Sequence, residues 1–328
     1  MSHIHVLSNV WKSRRAFFSL CLTCFALLLC LPGIVAAQNK EEEDPFKPYD
    51  VDLATKDGVT LKATYFPGKN GKDSVPVLLL HMFEGSRGDW KGLAEMLHTK
   101  GHAVIALDLR GHGASTTVRS PANPSLTKVL TPKDVDNKQQ VERMYEDDME
   151  TVKRWLLTEH NAGKMNIEKL CLIGAEMGSV VAVNWAMMDW KWPVLAGGGK
   201  QGQDVQALIL LSPETNYKGV QTTIACTTLA QLTPVSVQIV VGSNDSKSLN
   251  NANQVYRLFS RYRPTTFKTE EEARQNQNLF LSKHPTTLQG TKMLGKNLGV
   301  EPRCIAFIEL RLSDKNIPWR ERTSLLNK

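Results

Sequence analysis

The chain has 328 residues, of which 41% are hydrophobic and 22% are charged, and its formal net charge is +7. This length suffices for one large α/β domain with appendages, and the composition is that of a soluble globular protein. Three of the 40 Lys and Arg residues lie before residue 38, whereas all 33 Asp and Glu residues lie after it. The remainder is only mildly basic, which argues against a nucleic-acid-binding protein.

Residues 1–37 have the features of a cleaved secretory signal peptide. A basic stretch precedes the uncharged apolar run Ala16–Leu31, and small residues at Val35-Ala36-Ala37 form a candidate cleavage site. The run is shorter than the roughly 20 residues that a membrane-spanning helix needs. We therefore expect export, to a periplasm or outside the cell. The alternative is a retained N-terminal anchor, and only in that case do we expect membrane association.

Residues 38–49 are charged and contain proline, which predicts a flexible tether, and residues 50–328 form the predicted domain. Strands and helices alternate there, as in a mostly parallel sheet covered by helices on both faces. A hairpin is predicted at Val51–Lys56 and Thr60–Phe66, joined at Asp57-Gly58. Further strands are predicted at Pro76–His81, Ala103–Asp108, Lys169–Ile173, Val205–Ser212, Val235–Val241 and Asn278–Ser282. Helices are predicted at Trp90–Lys100, Glu142–His160, Ser179–Ala186, Asn250–Arg261, Leu288–Leu298 and Glu301–Leu312.

A long connection, Thr116–Gln139, is rich in Ser, Thr, Pro and Asn and predicts a loop. It follows the carboxyl end of a strand, where open α/β sheets bind ligands, so we expect it to cover part of a pocket.

Cys171 is predicted to be a buried apolar core residue, and Cys226 and Cys304 are available for one disulfide. No zinc-ligand spacing is present, and no metal or cofactor is expected.

The most informative stretch is Gly174-Ala175-Glu176-Met177-Gly178, between a predicted strand and a predicted helix. Strand, sharp glycine turn and helix form the layout of a nucleophile elbow, whose pattern is Gly-x-Ser-x-Gly. Glycine permits the tight bend and the close approach of helix to strand. In this chain Glu176 occupies the position of the attacking serine.

Four motifs occur in order along the chain: Leu78–His81 with Met82–Gly85, Asp-x-Arg-Gly-His-Gly-x-Ser at Asp108–Ser115, the elbow at Gly174–Gly178, and Val240–Asp245. Together they resemble the motifs of the α/β-hydrolase superfamily, in its esterase and dienelactone-hydrolase-like branch. The likeness spans roughly Val51 to Leu298, most of the mature chain. The resemblance implies an α/β-hydrolase fold. The short stretch between Ser212 and Val235 leaves room for a minimal cap domain or none.

The resemblance also implies a catalytic triad in the order nucleophile, acid, histidine. On this alignment Glu176 stands at the nucleophile position, Asp245 at the acid position and Gln289 at the histidine position. His284 is an alternative base if the register differs. The oxyanion hole would consist of the backbone N–H groups of Phe83 and Met177.

Three interpretations of Glu176 remain open. Its carboxylate can occupy the oxyanion hole at the helix N-terminus, which would block the site and lower its pKa. It can act as a covalent nucleophile, as aspartate does in the haloalkane dehalogenase and epoxide hydrolase branches. It can also join Asp245, His81 and His284 in a hard-metal or acid/base cluster, although their spacing does not support this. His81 and His112 are expected to order neighbouring turns, and Arg110 to pair with a carboxylate.

These observations lead to three functional expectations. The first is a degenerate hydrolase that binds a ligand or partner without turnover or with weak activity. The second is a divergent hydrolase that uses Glu176 and Asp245 on a carboxylic ester or related bond. The third is an interaction protein whose ancestral pocket is plugged. The expected partner is a small-molecule ligand, an ester substrate or a protein, and no nucleic acid.

Overall fold

The computed structural model describes residues 44–322, apart from residues 121, 124 and 196–198. The predicted signal segment 1–37 and the first part of the predicted tether, 38–43, lie outside the described residues, as do residues 323–328. The described residues from Pro45 onward belong to one compact unit. None of the helices in the described part of the chain is both long and apolar enough to cross a bilayer.

The strands are β1 (Tyr49–Ala54), β2 (Val59–Phe66), β3 (Pro76–Leu80), β4 (Ala103–Leu107), β5 (Thr117–Arg119), β6 (Thr127–Val129), β7 (Leu170–Ala175), β8 (Val205–Leu211), β9 (Asn216–Tyr217), β10 (Val220–Gln221), β11 (Ser236–Gly242) and β12 (Leu279–His284). The α-helices are α1 (Lys91–Thr99), α2 (Pro132–Val135), α3 (Lys138–Arg143), α4 (Met149–Asn161), α5 (Met177–Lys191), α6 (Thr223–Leu232), α7 (Ser246–Ser260), α8 (Glu270–Asn276) and α9 (Val300–Ile308). Short 3₁₀ turns lie at Gly71–Asp73, Arg87–Trp90, Ile167–Lys169 and Gly290–Met293, and π-helical turns at Met144–Asp148 and Glu309–Ser313.

Ten strands form one mixed sheet in the order β12-β11-β8-β7-β3-β4-β2-β5-β6, with β1 paired to β2. The six strands from β12 to β4 are mutually parallel, and β1, β2, β5 and β6 pair in antiparallel fashion. Parallel strands bury both faces, so β3, β4 and β7 contain buried residues at every position. The mostly parallel α/β sheet predicted from the sequence is confirmed.

Two apolar layers cover the two faces of this sheet. One contains alternate strand residues such as Leu78, Leu172 and Ile239 together with buried side chains of α4, α5, α6 and α7. The other contains the intervening residues, such as Leu79 and Ile173, packed against α1 and α9. Because successive strand residues point to opposite faces, each uninterrupted apolar strand supplies both layers.

Three predicted features differ from the structure. Leu288–Leu298 is not a helix: a short 3₁₀ turn at Gly290–Met293 is followed by positive φ angles at Gly295, Asn297 and Gly299, which a helix excludes. The predicted loop Thr116–Gln139 contains β5, β6 and α2, because β5 pairs with an otherwise open stretch of β2. The disulfide is absent: Cys226 and Cys304 are free thiols buried in the layers on opposite faces of the sheet.

Candidate active site

The turn between β7 and α5 is a strained strand-to-helix elbow with Glu176 at its apex. Glu176 has φ 45° and ψ −109°, a conformation that is costly for a residue with a side chain. A β-carbon on Gly178 would lie 2.2 Å from the carbonyl oxygen of Leu80, and one on Gly174 would lie 2.5 Å from that of Gly178. Glycine at both positions is therefore required for α5 to approach the sheet so closely.

The same close approach places the N-terminus of α5 beside the loop that follows β3. The backbone N–H groups of Met177 and Phe83, predicted to form the oxyanion hole, have no acceptor among the residues that the structure describes. Two free N–H groups at a helix N-terminus and an adjacent loop are what an oxyanion hole requires. They remain available for a bound anion or carbonyl oxygen.

The carboxylate of Glu176 does not occupy that hole. Among the described residues no hydrogen bond joins it to Met177 or Phe83, and it lies instead beside Gly290, where a β-carbon would be 3.1 Å from its Oε1. Burial raises the pKa of Glu176, and the neighbouring carboxylate of Glu214 raises it further. The predicted depression of this pKa is therefore wrong, because N–H donors do not solvate the carboxylate and a second acid lies nearby.

Glu176→Gln is expected to raise the free energy of unfolding at neutral pH, by no more than about 1 kcal/mol because the side chain is only half-buried. A raised folded-state pKa means that the folded protein binds the proton more tightly than the unfolded chain does. The wild type consequently gains stability as pH falls through that pKa, and the difference from the variant should vanish below the ordinary glutamate pKa of about 4.3. Urea unfolding of both proteins across this pH range measures the difference in their free energies of unfolding.

Glu95→Gln, at an exposed position on α1, is the control. A difference that stays constant with pH contradicts the assignment.

Asp245, the predicted acid, follows β11 and caps the N-terminus of α7. Its carboxylate accepts the backbone N–H of Ser248 at 2.7 Å, and this bond is the main cause of its lowered pKa. Its charge also acts on Glu176, whose pKa it raises slightly. Asp245 is therefore an ionised group near the elbow, and the hydrogen bond that fixes its orientation comes from its own helix.

Gln289, the residue predicted at the histidine position, connects the ends of two strands through hydrogen bonds. Its Oε1 accepts the hydroxyl of Ser212 at 2.6 Å and the N–H of Gly242 at 3.3 Å, and its Nε2 donates to the carbonyl of Gly242 at 3.1 Å. Ser212, which has φ 50°, accepts in turn the N–H of Gly290 at 2.9 Å. The amide thus connects the ends of β8 and β11 and has no free base to offer.

His284, the alternative base, ends β12 on the face that carries α9. It is buried, and burial followed by the charge of Arg303 lowers its pKa. Its carbonyl oxygen accepts bonds from the N–H and hydroxyl of Ser243, whereas its Nε2 has no partner among the described residues. No hydrogen bond in the described part of the chain joins it to Glu176 or Asp245.

His81 orders the loop after β3. Its Nδ1 donates to the carbonyl of Met82 at 2.6 Å, its Nε2 accepts the N–H of Leu109 at 3.0 Å, and burial lowers its pKa to about 4. His112 packs against Phe83, with ring centroids 5.5 Å apart, and bonds to the carbonyl of Arg110. Both imidazoles order neighbouring backbone. Among the described residues no hydrogen bond joins His81 to Glu176, Asp245 or His284, the other members of the predicted cluster.

Two residues that the sequence analysis did not select lie at this site. Glu214 follows β8. Its carboxylate accepts a hydrogen bond from Nδ2 of Asn251 at 2.8 Å, and its Oε1 lies 3.7 Å from Nζ of Lys247.

The second residue, Tyr217, lies in β9. Its ring centroid is 6.4 Å from that of Phe83, and its hydroxyl donates a hydrogen bond to Asp136 at 2.8 Å. Burial and the charges of Asp136, Glu176 and Glu214 raise the pKa of Tyr217. Asp136 belongs to the predicted covering segment, which therefore reaches the neighbourhood of the site. No motif identifies these residues, because short loop strands bring them there.

No group of three or more His, Cys, Asp or Glu side chains in the described ranges is arranged to hold a metal ion. The site presents a carboxylic acid with a raised pKa, two free N–H donors and an ionised aspartate. A carboxyl group of this kind can hold or release a proton, but no imidazole in the described part of the chain is hydrogen-bonded to it to activate water.

The comparisons with known proteins agree with this architecture. The model of the α/β hydrolase fold family matches residues 75–267, which is more than half of the chain. A stretch of 136 residues is 29% identical to the sn-1-specific diacylglycerol lipase of Danio rerio. The stretch covers 41% of this chain and only 33% of the length of that lipase.

Solved structures with low sequence identity share the fold. An esterase from Pyrococcus furiosus has a TM-score of 0.54 and 16% identity, over 81% of this chain and 92% of its own. A thermostable carboxyl esterase from Bacillus coagulans has a TM-score of 0.57 and 12% identity, over 81% of this chain and 99% of its own. With the elbow, the sheet order and the family match in agreement, the chain belongs to the α/β hydrolase fold family.

Proposed function

We propose that this chain is an exported α/β-hydrolase-fold protein with a degenerate triad, which binds a ligand or partner without ordinary ester turnover. The observation that carries the proposal is the state of Gln289 beside the elbow. Its amide oxygen accepts from Ser212 and Gly242, and its amide nitrogen donates to the carbonyls of Gly242 and Thr287. A serine-hydrolase cycle needs an imidazole at this point, first to accept the nucleophile's proton and then to return it. Glu176 at the apex of the elbow replaces the nucleophile that such a cycle would use.

The site retains features suited to binding. The N–H groups of Met177 and Phe83 have no acceptor among the described residues, and the rings of Phe83 and Tyr217 supply apolar surface next to them. Small ester or carbonyl compounds fit this chemistry, which also agrees with the esterase and lipase names of the similar proteins. Export is proposed from the sequence of residues 1–37 alone.

A divergent hydrolase is the second candidate, because burial and Glu214 raise the pKa of Glu176. A carboxyl group whose pKa is raised keeps its proton to a higher pH than an ordinary glutamate, as a general acid requires. This alternative requires turnover that depends on Glu176.

The two candidates are separated by a panel of fluorogenic esters of graded acyl length. We expect the wild type and Glu176→Ala both to hydrolyse them at the background rate. Binding of the same esters, measured by calorimetry at short incubation, should persist in the wild type. Turnover in the wild type that disappears in Glu176→Ala would establish the divergent hydrolase instead. Absence of both turnover and binding would favour the third possibility, an interaction protein without a usable pocket.

A further inference from the structure

The carboxyl group of Glu176 makes no hydrogen bond or ion pair with any residue that the structure describes. Two other acids, Glu214 and Asp245, act on it through their charges, and both are engaged. Glu214 accepts a hydrogen bond from Asn251 at 2.8 Å, and Asp245 accepts the N–H of Ser248 at 2.7 Å. Among these three acids, Glu176 is thus the one whose oxygens remain available to a ligand.

The basic side chains nearby do not satisfy this carboxyl group. The charges of Lys292 and Lys247 lower the pKa of Glu176, but neither ammonium group forms an ion pair with it. Lys292 is exposed, and the side chain of Lys247 is 79% exposed and lies 3.7 Å from Glu214 instead. A hydrogen-bond donor for Glu176 therefore has to come from a bound molecule.

The carboxyl group lies next to the two N–H groups predicted to form the oxyanion hole. A β-carbon on Gly290 would be 3.0 Å from Met82 Sδ and 3.1 Å from Glu176 Oε1, so the carboxyl group borders the loop that contains Phe83. Met177 follows Glu176 directly in the chain. The N–H groups of Phe83 and Met177 have no acceptor among the described residues. The elbow thus presents two donors and one acceptor side by side.

The classes of carbonyl ligand match this pattern to different degrees. An ester has a carbonyl oxygen but no hydrogen to donate, so it would leave the Glu176 carboxylate without a partner. A carboxylate ligand would accept from the two N–H groups, but its charge would be repelled by those of Glu176 and Glu214. A primary carboxamide is planar and carries its oxygen and one N–H on the same side, so it offers an acceptor and a donor together.

We propose that the elbow binds a primary carboxamide, whose oxygen accepts from Met177 and Phe83 and whose N–H donates to Glu176. The inference rests on the proposed function, because it names the ligand class of that same site. The rings of Phe83 and Tyr217, with centroids 6.4 Å apart, supply surface for an apolar group attached to the amide.

The test compares benzamide, methyl benzoate and benzoate, which carry the same ring on three different carbonyl groups. Their binding to the purified protein is titrated by nuclear magnetic resonance at about pH 8, well above the ordinary glutamate pKa of about 4.3. We expect benzamide to bind about tenfold more tightly than methyl benzoate, because it gains a hydrogen bond to a charged group. Benzoate should bind most weakly, because its charge lies beside that of Glu176.

Variants at position 176 separate the hydrogen bond from the charge. Glu176→Ala should bind benzamide and methyl benzoate with equal affinity, because the acceptor is gone. Glu176→Gln keeps an amide oxygen as acceptor, so the preference for benzamide should persist at reduced size, whereas benzoate should bind several-fold more tightly. Glu95→Gln, at an exposed position on α1, is the control and should leave all three affinities unchanged. Circular dichroism should confirm unchanged folding of each variant.

The possible failures are distinguishable from one another. Equal affinity of the wild type for benzamide and methyl benzoate overturns the inference and leaves the proposed function intact. A preference for benzamide that survives in Glu176→Ala also overturns it, as does tightest binding of benzoate, which would make the elbow an anion site. Absence of binding by all three probes contradicts the proposed binding of small carbonyl compounds and removes the inference with it.

Discussion

The double variant Glu176→Ser/Gln289→His is expected to hydrolyse short-chain fluorogenic esters that the wild type does not. Serine at the strained apex of the elbow would present its hydroxyl beside the N–H groups of Met177 and Phe83, for which the described residues provide no acceptor. Histidine at position 289 would stand next to Gly290, where a β-carbon comes within 3.1 Å of Glu176 Oε1. A positioned general base contributes about 10²- to 10⁴-fold, so kcat/KM should exceed that of either single variant by at least the lower figure.

The single variants are the internal controls for this experiment. Glu176→Ser alone has a hydroxyl but no base, since the amide of Gln289 is neutral and bonded to Ser212. Gln289→His alone has a base but a carboxylate at the elbow. Both should remain at the background rate. Activity in Glu176→Ser alone would show that another group, such as His284, reaches the site. A folded but silent double variant would show that the remaining parts of the site are not intact.

Arg110→Ala is expected to lower the free energy of unfolding by about 3–5 kcal/mol. Arg110 and Asp148 are both buried, and the guanidinium donates to the two carboxylate oxygens of Asp148 at 2.5 and 2.8 Å and to Asp57 at 2.9 Å. Its removal leaves the carboxylate of Asp148 in an apolar interior without a counter-charge. Arg110→Lys should give an intermediate loss, because an ammonium group keeps the charge but lacks the planar fork of donors that matches the two oxygens of the Asp148 carboxylate.

Arg143 provides a matched comparison for that measurement. It also donates to Asp57 at 2.9 Å, but its side chain is 40% exposed. Exposed ion pairs contribute about 0–1 kcal/mol, so Arg143→Ala should change the free energy of unfolding by no more than that. Guanidinium unfolding monitored by far-ultraviolet circular dichroism supplies both values. Equal losses in Arg110→Ala and Arg143→Ala would contradict the role assigned to burial.

The elements that could be predicted are those whose signal is local. Uninterrupted apolar runs such as Leu78–Leu80 and Leu170–Ile173 are required wherever a parallel strand is covered on both faces, and they identified the core strands. The elbow could be predicted because the need for its glycines is local. A β-carbon on Gly174 would lie 2.5 Å from the carbonyl oxygen of Gly178, and one on Gly178 would lie 2.2 Å from that of Leu80 in the adjoining strand.

Elements that depend on distant partners could not be predicted. β5 and β6 are short and mostly exposed, with no alternation of apolar residues, and they exist because β2 offers an edge for pairing. The segment 288–298 has apolar residues at helical spacing, yet positive φ angles at its glycines and Asn297 interrupt it. Cys226 and Cys304 have no spacing that reveals on which face of the sheet each lies.

The sequence by itself determined the α/β-hydrolase fold and the presence of Glu176 at the elbow, because those depend on residue identity and short-range geometry. Only the tertiary structure decided the state of the site. Gln289 meets Ser212 across 77 residues of chain, and Glu176 acquires its raised pKa from burial and from Glu214 in a separate loop. Hydrogen bonding and desolvation depend on which groups the fold brings together, and no spacing in the sequence encodes that proximity.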